Sequence, residues 1–290
     1  MESTCKRSPE PRSEFDWTYL LRGASGERTS VTSPAVLPLI FQLTEREIEA
    51  RYRGSALGWM WSIITPLMLL AVFTFVFTSV LPARWGNVSD NKTEFALIIF
   101  AGLITFSVFS EVVGRAPSLI TSQPNLVKKV VFPLEILPVV TLLVALAHAV
   151  LALFILGAAQ IAFGAGPHSA FLFVPALFLP VSFFTLGLGW FLAAFGVYVR
   201  DISQVIPPVL TAALFLSPVF YPSTNFPEWI RPYASLNPLA YSIETIRDAL
   251  IFGTLPSLVS FVIVLLGSVL IAALGYAFFR KTRKGFADVL

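Results

Sequence analysis

The strongest constraint on this chain is a run of 64 consecutive residues, Ile136 to Val199, without a single Asp, Glu, Lys or Arg. A water-soluble chain of 290 residues has ample surface to cover with charge and does not need such a run. The composition agrees, because 56% of the residues are hydrophobic and 13% are charged, against roughly 45–50% and about 25% in soluble domains. The sequence therefore predicts an all-α integral membrane protein.

Six segments are long and apolar enough to cross a bilayer as a helix of about 20 residues. A glycine- and proline-containing break at residues 164–168 divides the long uncharged run in two. Pro207, Pro208 and Pro218 predict kinks in the fifth segment. The predicted spans are Gly54–Val80, Phe95–Gly114, Ile136–Phe163, Phe171–Tyr198, Ile202–Tyr221 and Ser257–Phe279.

Positive charge predicts how these spans are oriented. Both ends of the chain and two of the connecting loops carry 16 of the 20 Lys and Arg residues. Because cytoplasmic loops are enriched in Lys and Arg, we expect both termini in the cytoplasm and the six-span domain to extend over residues 54–290. Residues 1–33 are polar and lack the apolar stretch of a signal peptide, which predicts a flexible cytoplasmic tail.

Two segments are partly apolar but too polar to span. Residues 34–53 alternate apolar and charged side chains near helical spacing, which predicts an amphipathic helix along the inner surface. Between the last two spans, Pro222 to Gly253 contains Asn237 and Pro238, a helix start signal, and Gly253, a helix stop signal. We expect this segment to form a re-entrant helical hairpin, with an ordinary extracellular loop carrying one surface helix as the alternative.

The chain contains few groups suited to catalysis. It lacks the phosphate-binding loop of ATPases, the H-E-x-x-H zinc motif and the G-x-S-x-G nucleophile motif, so we expect a non-enzymatic protein that holds no catalytic residue and no metal. Its single cysteine, Cys5, cannot form a disulfide within the chain. We expect the intramembrane His148 to make a hydrogen bond between helices rather than to relay protons, and Glu111 to pair with Arg115 one helical turn later.

Five motifs, in order along the chain from about Val36 to the C-terminus, resemble the membrane subunits of the ABC type 2 exporter family. Among its members they look most like the polysaccharide exporters, which move lipid-linked O-antigen, capsular polysaccharide or teichoic acid. The motifs are RYRGSALGWMWSIITPL from Arg51, SQPNLVKKVVFPLEILP from Ser122, YVRD from Tyr198, SPVFYP from Ser217 and NPLAYSIETIRDAL from Asn237.

The resemblance implies a homodimer that binds two copies of a separate soluble ATPase in the bacterial inner membrane. ATP and Mg would then be bound by the partner subunit, and this chain would bind no cofactor and no nucleic acid. The amphipathic helix would be the interface helix, and the loop from Ser118 to Val131 would dock on the ATPase. The residues expected to couple to the ATPase are Glu45, Arg46, Glu49, Asn125, Lys128 and Lys129.

The lipid-linked glycan itself would meet two further sets of residues. Arg51, Tyr52 and Arg53 lie where a lipid pyrophosphate would arrive from the inner leaflet, and guanidinium groups bind phosphate oxygens in pairs. Aromatic rings stack on sugar faces without holding them tightly, so aromatic residues near both surfaces are candidates for a glycan path and gate. These candidates are Trp59, Trp61, Phe220, Tyr221, Trp229, Pro238 and Tyr241.

Other functions remain open on the sequence alone. Capsular polysaccharide, teichoic acid or a drug would be the cargo of a similar exporter. A membrane-embedded glycosyltransferase or acyltransferase would need a polar catalytic cluster, and Glu244, Arg247 and Asp248 are the candidates. A passive channel would need a polar or charged pore lining, which the spans do not provide.

Overall fold

A computed structural model describes most of the chain after the first 35 residues. The described residues are 36–55, 57–76, 92–123, 132–163, 166, 168–229 and 236–289. The predicted cytoplasmic tail, residues 1–33, lies outside them.

Every regular element in the described part of the chain is helical, in agreement with the predicted all-α fold. We number the helices α1 to α9 in chain order. They are α1 Val36–Tyr52, α2 Trp61–Phe75, α3 Lys92–Arg115, α4 Ile136–Ala162, α5 Val174–Tyr198, α6 Ile202–Leu216, α7 Pro238–Arg247, α8 Leu258–Thr282 and α9 Phe286–Val289.

Five helical stretches are long and apolar enough to cross a membrane, so the chain is a multi-pass membrane protein. They correspond to five of the six predicted spans, with shifted boundaries. These stretches are Gly58–Phe75, Glu94–Ser118, Ile136–Ala162, Ser169–Tyr198 and Leu258–Gly285.

The remaining predicted span, Ile202–Tyr221, is only partly helical. Helix α6 has 15 residues, a length of about 22 Å at 1.5 Å per residue, against a hydrocarbon core of roughly 30 Å. It stops because Ser217 precedes Pro218, and a residue before proline is driven into extended backbone; Ser217 has ψ 152°. A sixth crossing therefore needs more than this helix.

Helix α3 lies at the centre of the fold, where it packs against α2, α4, α5 and α7. Its fully buried side chains include Ile98, Ile99 and Phe100. Helices α2 and α8, by contrast, expose apolar side chains such as Met68 and Leu266. Apolar exposure of this kind suits contact with lipid or with a second membrane helix.

Helices α5 and α8 pack closely against each other. Gly187 and Gly275 face each other so closely that a Cβ on Gly187 would lie 2.6 Å from the carbonyl oxygen of Ile271. Beside this contact, the rings of Trp190 and Tyr276 lie 5.0 Å apart. Small residues allow membrane helices to approach in this way and to gain van der Waals contact along their backbones.

Candidate functional site

A cavity of about 320 Å³ lies between α1, α2, α3 and α4. It forms because the chain leaves α1 through a turn at Gly54, with φ +87°, and a second turn at Gly58, with φ +51°. Both values lie in the left-handed region that glycine adopts at little cost. The two turns bring α2 back so that it forms one wall of the cavity.

One end of the cavity holds the four titratable side chains of its lining, which form what we call the polar cluster: Arg51, Tyr52, Glu111 and His148. An Arg51 guanidinium nitrogen, Nη2, lies 2.6 Å from Glu111 Oε1, and Nη1 lies 2.9 Å from His148 Nδ1. The Tyr52 hydroxyl lies 3.2 Å from His148 Nε2. Because α1 supplies two members and α3 and α4 one each, the cluster connects three helices.

The side chains of Glu111 and His148 are only 17% and 19% exposed. His148 Nδ1 also lies 3.3 Å from Glu111 Oε2. A single ring nitrogen accepts a hydrogen bond when it is unprotonated and donates one when it carries a proton. His148 Nδ1 therefore bonds either to the guanidinium or to the carboxylate, but not to both at once. The predicted hydrogen bond of His148 between helices is confirmed.

The predicted ion pair between Glu111 and Arg115 is wrong. Glu111 pairs with Arg51, and Arg115 pairs with Glu47. Glu47 and Arg51 are four residues apart on α1, and Glu111 and Arg115 are four residues apart on α3. The two pairs run in opposite directions, so each acidic residue of one helix meets a basic residue of the other. Two ion pairs consequently tie α1 to α3, and we call them the ion-pair ladder.

Three predicted ATPase-coupling residues, Glu45, Arg46 and Glu49, are exposed on α1. At 100° per residue, Glu45 and Glu49 lie on the side of α1 roughly opposite to the ion-pair ladder. Asn125, Lys128 and Lys129 fall in residues 124–131, outside the described part of the chain.

The segment that follows residues 124–131 is fastened to the end of α8. Arg283 Nη1 lies 2.5 Å from Glu135 Oε1, and its Nη2 donates to the carbonyl oxygen of Phe132 at 3.0 Å. Trp190 Nε1 donates to the carbonyl oxygen of Glu135 at 2.9 Å. Glu135 is buried, so the arginine supplies the charge that its carboxylate needs.

The predicted gate residues Phe220, Tyr221, Pro238 and Tyr241 lie around α6 and α7, away from the polar cluster. Pro238 opens α7, Asn237 caps it by accepting from the amide of Leu239 at 3.1 Å, and Gly253 ends the helical run with φ +67°. These predicted start and stop signals are confirmed. The hairpin remains a prediction, because part of its first limb falls in residues 230–235, outside the described ranges.

The aromatic candidates do not form one group. The Tyr221 hydroxyl donates to the carbonyl oxygen of Phe215 at 2.5 Å, and the Phe220 ring lies 5.7 Å from that of Phe215. The Tyr241 hydroxyl lies 3.1 Å from Ser260 Oγ on α8. Trp59, Trp61 and Trp229 are exposed, and of these three Trp61 lines the cavity.

The polar residues of α7 serve the packing of this region. Arg247 is 2% exposed and donates to the carbonyl oxygen of Pro218 at 2.7 Å. Glu244 Oε1 accepts from the amide of Ser223 at 2.8 Å. Both side chains thus hold the turn after α6 against α7. Within the described ranges, no group of three or more His, Cys, Asp or Glu side chains is placed to hold a metal ion.

The structure therefore brings Arg51 and Tyr52 together and places Arg53 apart, exposed and outside the cavity lining. Glu111 and His148 also belong to this site, although they are not among the residues that the sequence predicts for it. The signal that could have found Glu111 is the matching four-residue spacing of opposite charges on α1 and α3. Nothing in the sequence links Glu135 to Arg283, which are 148 positions apart.

The chain is similar to known transport proteins over most of its length. The profile of the ABC-2 type transporter family matches residues 38–251. The O-antigen export system permease protein RfbA of Myxococcus xanthus is 32% identical over 253 residues, which cover 86% of this chain and 94% of that protein. The RfbA protein of Klebsiella pneumoniae is 24% identical over 87% of this chain and 95% of its own length. The polysialic acid transport protein KpsM of Escherichia coli is 24% identical over 81% of this chain and 90% of its own length.

The fold and the cavity define a multi-pass α-helical membrane protein with a polar site between its helices. With the match over residues 38–251 and the 32% identity to a relative of nearly the same length, the chain belongs to the ABC-2 type transporter family.

Proposed function

We propose that the chain is the membrane-spanning subunit of an ATP-driven exporter that moves lipid-linked polysaccharide, with O-antigen as the principal cargo, across the bacterial inner membrane. The observation that carries this proposal is the 32% identity to an O-antigen export permease over 86% of the chain. The exposed apolar surface of the long helices supports a position within the bilayer.

The proposed protomer crosses the membrane six times and has both termini in the cytoplasm. The fifth crossing is α6 extended by the turn that follows it, because the helix alone is too short. Helix α7 then returns into the protein as part of a gate hairpin on the outer side. Its burial against α3 and α5 supports this arrangement, since re-entrant backbone must be surrounded by protein.

The proposed assembly is a homodimer with two copies of a soluble ATPase, which binds ATP and Mg. The ATPase would contact the exposed residues Glu45, Arg46 and Glu49 on α1, together with Asn125, Lys128 and Lys129. Movement of α1 would reach α3 through the ion-pair ladder, because two contacts four residues apart transmit a shift of a rigid helix better than one.

In the proposed function, the pyrophosphate of the cargo meets Arg51, Tyr52 and Arg53 at the end of α1. The glycan then follows aromatic surfaces, which begin with Trp59 and Trp61. On the outer side it passes the remaining gate residues, namely Phe220, Tyr221, Trp229, Pro238 and Tyr241.

Deletion of the chain in its bacterial host tests the proposal. Surface polysaccharide should disappear while lipid-linked glycan accumulates inside the cell, and the wild-type chain should restore export. Lys128→Glu with Lys129→Glu should fail to restore it, because the charge reversal removes the ATPase contact. Lys281→Glu with Lys284→Glu, a matched reversal in the last turn of α8 and in the turn that follows it, should restore it. Normal surface polysaccharide in the deletion strain would refute the proposal.

The same experiment separates two cargoes. The similarity to a polysialic acid transport protein favours capsular polysaccharide as the second candidate. Loss of capsule with intact O-antigen in the deletion strain would identify that cargo instead.

A further inference from the structure

The cavity beside α1 is polar at one end and mostly apolar along its walls. The polar cluster lies at one end, and the walls are formed largely by apolar side chains such as Pro66, Leu69, Phe100 and Leu103, with the hydroxyls of Ser62, Thr65 and Ser107 among them. An amphiphile with a small charged head and a hydrocarbon tail matches this division, since the head finds hydrogen-bonding partners and the tail finds apolar contact. Inorganic anions would use only the polar end.

Three members of the polar cluster bind anions well. A guanidinium group donates to two oxygens of a phosphate at once, and a tyrosine hydroxyl or a protonated imidazole donates one further hydrogen bond. Glu111 opposes them, because its carboxylate is an anion that already lies 2.6 Å from Arg51 Nη2. A carboxylate and a phosphate therefore compete for the same guanidinium.

We propose that Glu111 holds, in the resting protein, the place that a lipid phosphate takes during transport. The inference rests on the proposed export of a phosphate-bearing lipid and defines how its headgroup is bound and released. Arg51 exchanges the carboxylate for the phosphate. His148 then takes a proton from solvent on Nδ1 and turns from Arg51 to Glu111, which is within reach at 3.3 Å.

This exchange offsets part of the charge that the headgroup brings. In the resting state, the guanidinium of Arg51 faces the Glu111 carboxylate and the His148 ring. In the loaded state, the proton on His148 offsets one negative charge and pairs with Glu111, so the carboxylate no longer faces the phosphate without a cationic partner. Among the described residues that line the cavity, the polar cluster contains all the titratable side chains. Binding should therefore strengthen as the pH falls.

The carboxylate also gives the lipid a way out. A site made only of donors would hold the phosphate tightly, whereas a transporter must release its cargo. Return of the Glu111 carboxylate to Arg51 displaces the headgroup, and loss of the proton from His148 completes the cycle.

The test measures binding of a prenyl pyrophosphate to the full chain in phosphatidylcholine nanodiscs by thermophoresis. Wild-type protein should bind the prenyl compound more tightly than inorganic pyrophosphate, because only the former fills the apolar part of the cavity. Addition of phosphatidylglycerol to the nanodiscs shows whether an ordinary phospholipid headgroup competes. Strong competition would assign the site to membrane lipid and would overturn the cargo assignment.

Three variants test the individual roles. Arg51→Gln should weaken binding by at least about tenfold, because the paired hydrogen bonds are lost. Glu111→Gln should strengthen it by about tenfold, because the competing charge is removed. His148→Gln should abolish the strengthening between pH 8 and pH 6.5, which for one linked proton is at most about tenfold per pH unit. The control Arg280→Gln removes an exposed cation from α8 and should leave binding unchanged.

The outcomes separate this inference from the proposed function. If wild-type protein binds and Arg51→Gln weakens binding, but Glu111→Gln and His148→Gln behave like wild type, the headgroup proposal stands and the exchange is refuted. If wild-type protein does not bind the prenyl pyrophosphate at all, the headgroup proposal and the exchange are both refuted at this site. Loss of export in the deletion strain would still support the transport function.

Discussion

The contact between α5 and α8 gives the sharpest stability prediction. In Gly275→Ala, the new Cβ would lie 2.9 Å from the Cα of Gly187 and overlap its carbonyl group. Carbon atoms pack at about 3.5–4.0 Å, and the carbonyl oxygen of Gly187 lies closer still to the new Cβ, so the helices must separate by about 1 Å or more. Overpacking of this kind costs about 1–3 kcal/mol.

Helix propensity acts in the opposite direction, since alanine stabilises a helix by about 0.5–1 kcal/mol relative to glycine. Gly267, also on α8, provides the matched control, because a Cβ there meets no atom within 4 Å. Gly267→Ala carries the same propensity gain without the overlap. The difference between the two variants therefore isolates the packing cost, about 1–3 kcal/mol.

Thermal unfolding of the purified protein measures this difference. At about 2–4 °C per kcal/mol, Gly275→Ala should unfold some 2–12 °C below Gly267→Ala. Tryptophan fluorescence is a suitable signal, because Trp190 lies at the contact. Equal unfolding temperatures for the two variants would refute the close packing of α5 on α8.

Three further changes test local features of the fold. Arg283→Gln should lower the free energy of unfolding by about 1.5–3 kcal/mol, because buried Glu135 loses its charged donor. The double variant with Glu135→Gln should recover part of this stability, as measured by thermal unfolding. Asn237→Ala should cost about 1 kcal/mol through the lost helix cap and should speed hydrogen exchange in the first turn of α7, whereas Asn237→Ser should not. Gly253→Ala should destabilise the same region by about 1 kcal/mol or more, because its φ is +67° and the new Cβ would lie 2.9 Å from the His168 ring; an unchanged unfolding temperature would contradict this.

Features that depend on neighbouring residues could be predicted from the sequence. Asn237 and Pro238 start α7 and Gly253 ends its helical run, because capping and left-handed backbone are decided within a few positions. The end of α6 has an equally local cause in Pro218. The predicted span extends past this proline because hydropathy alone does not show where a helix ends.

The polar cluster could not be predicted in the same way. Glu111 can reach Arg115 on its own helix, but the structure rotates α3 so that it faces Arg51 on α1. Helix rotation depends on packing against neighbours, which hydropathy does not encode. The residues expected to dock on the ATPase, Lys128 and Lys129, lie outside the described ranges and stay predictions.

In the proposed function, this chain carries lipid-linked polysaccharide across the membrane, and a separate ATPase supplies the energy. The most direct test reconstitutes the chain into vesicles loaded on one leaflet with the lipid-linked glycan, with and without the ATPase. We predict that the glycan becomes accessible on the opposite leaflet only when the chain, the ATPase and ATP are all present. ATP hydrolysis by the chain alone, or transfer of the glycan without the chain, would contradict the account.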